Sequence, residues 1–413
     1  MTARERILAA VEHRQPDRVP LDLGATPSSG ISAIGYNRLK QHLGMAGGHT
    51  RVYDVVQQLA QPEDEIIDLL GADVLDVGRA FNGQDGDWYD MTLPDGSPAQ
   101  YPAWFRPVPL ENGSWVHIDG DGDTIARMPA GATFFDQQVF PYQHGYPENY
   151  AGLNRAMGKV LWQAMAHSPW DHAGEPGFYD DLRERALRLR RTTDKAIMIV
   201  CGCNLFEWGT FLRRIDNFLM DLLDQPAEVE KLLDELMARH LATLEKVCAA
   251  VGDTADILRF GDDLGTDTGP FLSPALYRQF FKPRHAMLCD YVHRHSSMKT
   301  FLHSCGSIRA LLPDLIEAGY DIINPVQTTA RGMDPAELKR LFGRDITFWG
   351  GGCNTRRVLN TAKPAEVYDY TRRMLDIFMP GGGYVFNTEH NIMPDVPPEN
   401  MMAMYRAVRE YGN

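Results

Sequence analysis

The chain of 413 residues is 44% hydrophobic and 23% charged, a balance that buries a large core and excludes a disordered, fibrous or disulfide-stapled miniature protein. Its 55 acidic against 41 basic residues leave a formal charge of −14, the wrong sign for a nucleic-acid partner, and no Lys/Arg run supplies a phosphate footprint. No apolar stretch approaches the roughly 18 residues of a membrane span, and the opening lacks the apolar centre of a signal peptide, so a cytoplasmic protein is expected, its six cysteines kept as thiols.

In chain order, the opening ten residues read as a helix, an N-terminal helical extension. Short β-rich runs follow at 19–23 and 73–77, on either side of a helical stretch. Between about Asn82 and Gln143 the rhythm breaks into Gly, Pro, Asp and aromatic residues, with alternation such as Ser114-Trp115-Val116-His117-Ile118, and this predicts hairpins. From residue 196 onward, β-rich runs at 196–200, 255–260, 298–302, 320–324, 345–349 and 384–387 alternate with amphipathic stretches at 308–318, 335–342, 365–378 and 398–411. Strands alternating with helices indicate βαβ units, and eight strands close a barrel. The expected fold is a single α/β unit over residues 1–413, a (β/α)₈ TIM barrel with a β-rich insertion at 82–143 after the second strand. That insertion would emerge at the catalytic mouth and is read as a lid or rim.

In such a barrel the reactive side chains lie at or just past the C-terminal ends of strands. His303-Ser-Cys305 follows one strand, and residues i and i+2 of an extended segment point the same way, so an imidazole and a thiolate can meet one ion. Cys353, after the next strand but one, is the expected third ligand, with His390 and Cys203 as competitors. A His/Cys/Cys set with an open fourth position is the donor set of catalytic zinc. His390 with Glu389 and Asp262 are candidate proton-relay residues. Asn204, Asp263, Asn324 and Gln327 at strand ends, with Trp88 in the insertion, are candidate substrate contacts. Cys248 and Cys289 fall within helical patterns and are read as core.

Three segments carry a resemblance: Arg4-Glu-Arg-Ile-Leu-Ala-Ala10 with Pro16-Asp-Arg-Val-Pro20, Thr300-Phe-Leu-His-Ser-Cys-Gly306, and His390-Asn-Ile-Met-Pro-Asp-Val-Pro-Pro-Glu-Asn400. They resemble the uroporphyrinogen decarboxylase superfamily, TIM barrels that include the haem-pathway decarboxylase and zinc-dependent, corrinoid-linked methyltransferases. The decarboxylase holds its porphyrinogen with an arginine-bearing stretch after the first strand, whereas Leu23-Gly-Ala-Thr-Pro-Ser-Ser-Gly30 has no arginine. The resemblance therefore implies the methyltransferase branch, with Zn2+ as metal, a corrinoid (cobalamin) carried by a partner protein, and a small methylated substrate or a thiol or folate acceptor. In that branch the third cysteine follows the eighth strand, where this chain has Glu389-His390. A decarboxylase-like lyase acting on a small carboxylic acid or a porphyrinogen, and a ligand-binding barrel without turnover, are the alternatives.

Overall fold

The computed structural model describes residues 1–45, 47–161 and 167–412. Seven parallel strands form one curved sheet: β1 (Val74–Asp76), β2 (Ala196–Gly202), β3 (Ile257–Gly261), β4 (Lys299–His303), β5 (Ile322–Asn324), β6 (Thr347–Trp349) and β7 (Tyr384–Val385), paired in that order. The predicted first strand is the eighth stave, reduced to almost nothing. Leu21 makes an isolated parallel bridge to Phe386, Asp22 N donates to Phe386 O, and Asp73 N donates to Leu21 O. This joins β7 to β1 through residues 20–22 and closes the barrel.

Alternation along these strands sorts the core into two bodies. Val74, Ala196, Met198, Ile257, Phe301, Ile322, Trp349 and Val385 point inward and form one apolar cluster. Ile197, Ile199, Leu258, Phe260, Leu302, Ile323 and Phe348 point outward into the layer beneath the helices. Strands buried on both faces read as unbroken apolar runs, as they do here. The N-terminal helix Ala3–Val11, opened by a Thr2/Glu5 capping box, packs Ile7, Ala10 and Val11 into the inner cluster. It packs against one end of the barrel, and the cavity among the described residues opens at the opposite, C-terminal end of the strands.

The insertion folds as expected into antiparallel structure, with a two-stranded ribbon (Trp88–Thr92 with Pro98–Pro102) and a four-stranded sheet built around Trp115–Ile118 and Thr124–Met128. The predicted helices at 335–342 and 398–411 match the observed Pro335–Phe342 and Pro398–Tyr411, whereas the one expected at 308–318 is confined to Leu312–Glu317. No described helix is long and apolar enough to cross a membrane, and all six cysteines are free thiols.

Candidate active site

The strand ends converge on a cavity of about 210 Å³ reached from the mouth, walled by His303, His390, Asp263, Arg259, Glu207 and Asn204 among others. A second, outer cavity of about 540 Å³ adjoins it, with Cys305, Gln327 and Glu389 in its wall. His390 and Phe134 belong to both.

Where the two cavities meet, His303, Cys305 and His390 bring one donor atom each within 4.8 Å of one another. His303 ends β4 and Cys305 lies two residues on, with Nε2 and Sγ 3.5 Å apart. The other imidazole nitrogen, Nδ1, donates to Asn324 Oδ1 at 2.7 Å. Asn324 ends β5 in register with His303 and is fully buried. It also accepts from Ser28 Oγ and donates to the Trp349 carbonyl, each at 2.8 Å, so its amide cannot turn away. With Nδ1 committed as a donor, Nε2 carries the lone pair that faces Cys305. Burial, together with the charges of Arg259 and His390, holds the His303 pKa well below the ordinary value, which keeps this nitrogen a free base.

Acidic groups surround the trio. Asp263, just past β3, accepts from Cys305 N at 2.8 Å and lies 3.6 Å from His303 Nε2. Glu207 stands on the helix Phe206–Arg213 and accepts from the Asn204 amide. Burial, reinforced by the neighbouring carboxylates Asp263 and Asp262, pushes the Glu207 carboxyl well above its usual range. Asn204 reaches the cavity across Gly261, where a Cβ would stand 2.8 Å from its Nδ2. Glycine is the residue that permits this approach. Likewise Gly306, at φ +86°, packs its Cα side against the Gly265 backbone, a conformation and a closeness that only glycine tolerates.

A family model described as Uroporphyrinogen decarboxylase (URO-D) matches residues 206–411, the half of the chain that supplies Glu207, Arg259, Asp263, His303, Cys305 and His390. The chain belongs to the uroporphyrinogen decarboxylase superfamily. Among curated relatives of this superfamily member, the uroporphyrinogen decarboxylase of Magnetococcus marinus is 26% identical over 197 residues, 46% of this chain and 51% of that protein. The Hahella chejuensis enzyme of the same name is 33% identical over 99 residues, 24% of this chain and 26% of that one. The chain thus spans about half, or less, of the relatives it matches. Over its whole length the fold is similar to a methyltransferase from Methanosarcina mazei, with TM-score 0.59, 17% identity, and coverage of 100% of this chain and 99% of that one.

Within this superfamily barrel, several residues expected at the site take other places. Cys353 is fully buried in the outer core. Its carbonyl accepts from Glu389 N and its thiol lies beside Thr371, where burial pushes it up to about 12. It is absent from the donor trio, and His390 stands in its place. Cys203 is buried core as well. Asp262 is fully buried and accepts from Phe206 N at 3.0 Å and Glu207 N at 2.8 Å, capping the helix that carries Glu207; it faces neither cavity. Trp88 donates its indole N–H to Asn82 O and lies under Arg51, away from both cavities. Asn324 positions His303 and is not among the cavity walls. Glu389 accepts from the Thr328 hydroxyl and from Thr329 N, and Gln327 is tied to Gly306 N and Asp267, so both shape the outer cavity.

Three groups escaped the sequence reading. Glu207 sits in the first turn of the helix that follows β2, Asp54 on the early antiparallel segment Val52–Asp54, and Arg259 in the middle of β3. Of these, only Arg259 leaves a signal in the sequence: a charged residue at an inward position of an otherwise apolar strand.

Proposed function

We propose that this protein is a zinc-dependent methyltransferase that moves a methyl group between a small methylated compound, or a thiol or folate acceptor, and a corrinoid carried by a partner protein. The observation that carries the proposal is the convergence of His303 Nε2, Cys305 Sγ and one nitrogen of His390 within 4.8 Å at the inner end of the mouth. The set fits zinc: two imidazoles and one thiol are borderline-soft donors, and three protein ligands leave a position for substrate. The donation from His303 to Asn324 is the second hydrogen bond by which a metal-ligating imidazole is usually oriented. In the absence of a cation, burial and the Asp263 and Glu207 carboxylates push the Cys305 thiol well above its ordinary range, so binding a dication there would release its proton.

When bound, zinc would supply Lewis-acid activation of the heteroatom that gives or takes the methyl group. The chain's own groups prepare the site for this. Asn324 fixes the His303 ring, Asp263 fixes the Cys305 backbone, and Glu207 places at the cavity wall a carboxyl whose hold on its proton burial strengthens. Phe134 and Phe211 present apolar rings to the same cavity, narrowing the space left to water. The Methanosarcina mazei neighbour, a methyltransferase, supports the transferase reading, and the corrinoid partner follows from the resemblance of His303-Ser-Cys305.

The names of the curated relatives favour a second reading, a decarboxylase-like lyase. The inner cavity of about 210 Å³ falls below the ~300–1,000 Å³ of a site for a drug-sized ligand, and it suits a compact acid, not a tetrapyrrole. Elemental analysis of protein purified without chelator, followed by methyl-transfer assays with methoxy, methylamine and thiol compounds and free cobalamin, separates the two. About one zinc per chain and corrinoid-dependent turnover are expected. Full activity without metal overturns the proposal.

A further inference from the structure

Arg259 is a buried cation inside the barrel. It occupies the centre of β3, pairs with Phe301 in register, and therefore lies one inward layer below Gly261 and His303, which pair at the mouth. Its side chain walls the inner cavity, yet it is only 5% exposed. Its Nε has no hydrogen-bond partner. Among the described residues no carboxylate stands within the 4.0 Å of an ion pair with it, although Glu207 and Asp263 act on it at longer range. A guanidinium with five N–H donors, withdrawn from water and left unsatisfied, is an expensive feature that native proteins keep for a partner.

The carboxylates nearby are already engaged. Asp54 accepts from Val56 N, Gln57 N and the Gln57 side chain, Asp263 accepts from Cys305 N, and Glu207 accepts from Asn204. His167 adds an open acceptor to the cavity, for a donor group of the ligand and not for its carboxylate. Its Nδ1 donates to Ser168 O at 2.8 Å, and its buried Nε2 has no partner.

The geometry points to Arg259 as the anchor for an anionic group of the substrate, a carboxylate seated at the floor of the inner cavity while the reacting end of the same molecule reaches the His303/Cys305/His390 trio above. The two sites are separated by one barrel layer, two residues along a strand or roughly 7 Å. A small monocarboxylate with a short or flat apolar body, lying between Phe134 and Phe211, fills the space between them. This deepens the methyltransferase reading and rests on it only for the chemistry of the reacting end. A guanidinium fork binds a carboxylate by paired charge-assisted hydrogen bonds that a carboxamide cannot reproduce.

Calorimetric titration of the full chain with benzoate and with its neutral isostere benzamide tests the anchor, on wild type, Arg259→Gln and Arg259→Lys, with zinc content measured on every sample. Benzoate is expected to bind wild type at least tenfold more tightly than benzamide. Arg259→Gln should bring the two within about twofold, and Arg259→Lys should retain part of the preference. Equal binding to wild type overturns the inference, and so does a preference that survives Arg259→Gln, which would send the carboxylate to the metal instead. Should Arg259→Gln fail to fold, the wild-type pair and the lysine variant decide. A carboxylate preference in zinc-free protein leaves the anchor standing and removes the methyl-transfer reading; zinc-loaded protein without the preference does the reverse.

Discussion

His303 and Asn324 face each other at the ends of adjacent parallel strands, the Nδ1–H of the imidazole donated to the amide oxygen at 2.7 Å. Because Asn324 is held from two further sides, by Ser28 and by the Trp349 carbonyl, this bond sets both the tautomer and the orientation of the ring. Replacing the asparagine frees the ring without touching a proposed ligand. Asn324→Ala should weaken zinc binding by about 10–100-fold and, since it leaves buried partners unsatisfied, cost about 1–3 kcal/mol of stability. Competition against a fluorescent chelator measures the first effect and denaturant unfolding the second. Unchanged zinc affinity would remove Asn324 from its positioning role.

The replacement of Cys353 by His390 in the donor trio gives opposite phenotypes for two cysteines. Cys305→Ser and His390→Ala should each lose zinc, because a weak neutral donor or none replaces a soft or borderline ligand. Cys353→Ala should keep a full equivalent of zinc and lose only packing, on the order of 1 kcal/mol. Elemental analysis of the three purified variants checks the pattern. Loss of metal from Cys353→Ala alone would return the ligand role to that residue.

How much of this was legible in the sequence follows from where each signal is encoded. The strands β2 to β7 could be read from sequence because, buried on both faces, they are short apolar runs, and His303-Ser-Cys305 was legible because the spacing alone puts both side chains on one side. The stave at residues 19–23 was overestimated: Pro20 has no N–H to give a ladder, and only its carbonyl accepts, from Phe386 N. Pro313 likewise belongs in a first helical turn, which delays the helix expected from 308 until Leu312. The choice between Cys353 and His390 depends on which way a loop turns its side chains, and residue order does not record that. Asp262 and Asp263 are neighbours in sequence with opposite fates, one capping a helix and the other facing the trio, because consecutive residues point apart.

Asp76 gives the fold a pH dependence with a definite sign. Its Oδ1 has no partner, and burial raises its pKa from 3.8 to about 6, against the opposing pull of His167. A carboxyl whose folded pKa lies above its unfolded value holds its proton more tightly when folded. Its ionisation therefore penalises the native state above pH 6, and the penalty is relieved as pH falls from about 6 towards 4. Asp76→Asn, which cannot ionise, should be more stable than wild type at pH 7 by an amount on the order of 3 kcal/mol. The difference should shrink to near zero by pH 4. Urea unfolding of the two proteins across that range measures the convergence. Parallel stability curves would show that Asp76 is not desolvated in the folded protein.

The last prediction concerns which aromatic side chain of the insertion meets the substrate. Trp88 is the substrate contact the sequence suggests, yet its indole and those of Trp104 and Trp115 serve the insertion itself. Trp88 donates to Asn82 O, Trp104 donates to Asp171 at 3.1 Å, and Trp115 lies in a strand of the four-stranded sheet. Phe134, beyond the last long strand of that sheet, is the insertion's side chain in the walls of both the inner and the outer cavity. A ring in that place separates the two spaces and lies against whatever occupies the inner one. Phe134→Ala should therefore merge the cavities, raising KM for the methylated substrate several-fold, with bound zinc unchanged because the proposed ligands lie at and just past the end of β4 and past β7. Trp88→Ala, Trp104→Ala and Trp115→Ala should lower thermal stability and leave KM within about twofold. Steady-state kinetics of the four variants beside their melting temperatures make the comparison. A KM change confined to the tryptophan variants would place the substrate against the ribbon and remove Phe134 from the gate.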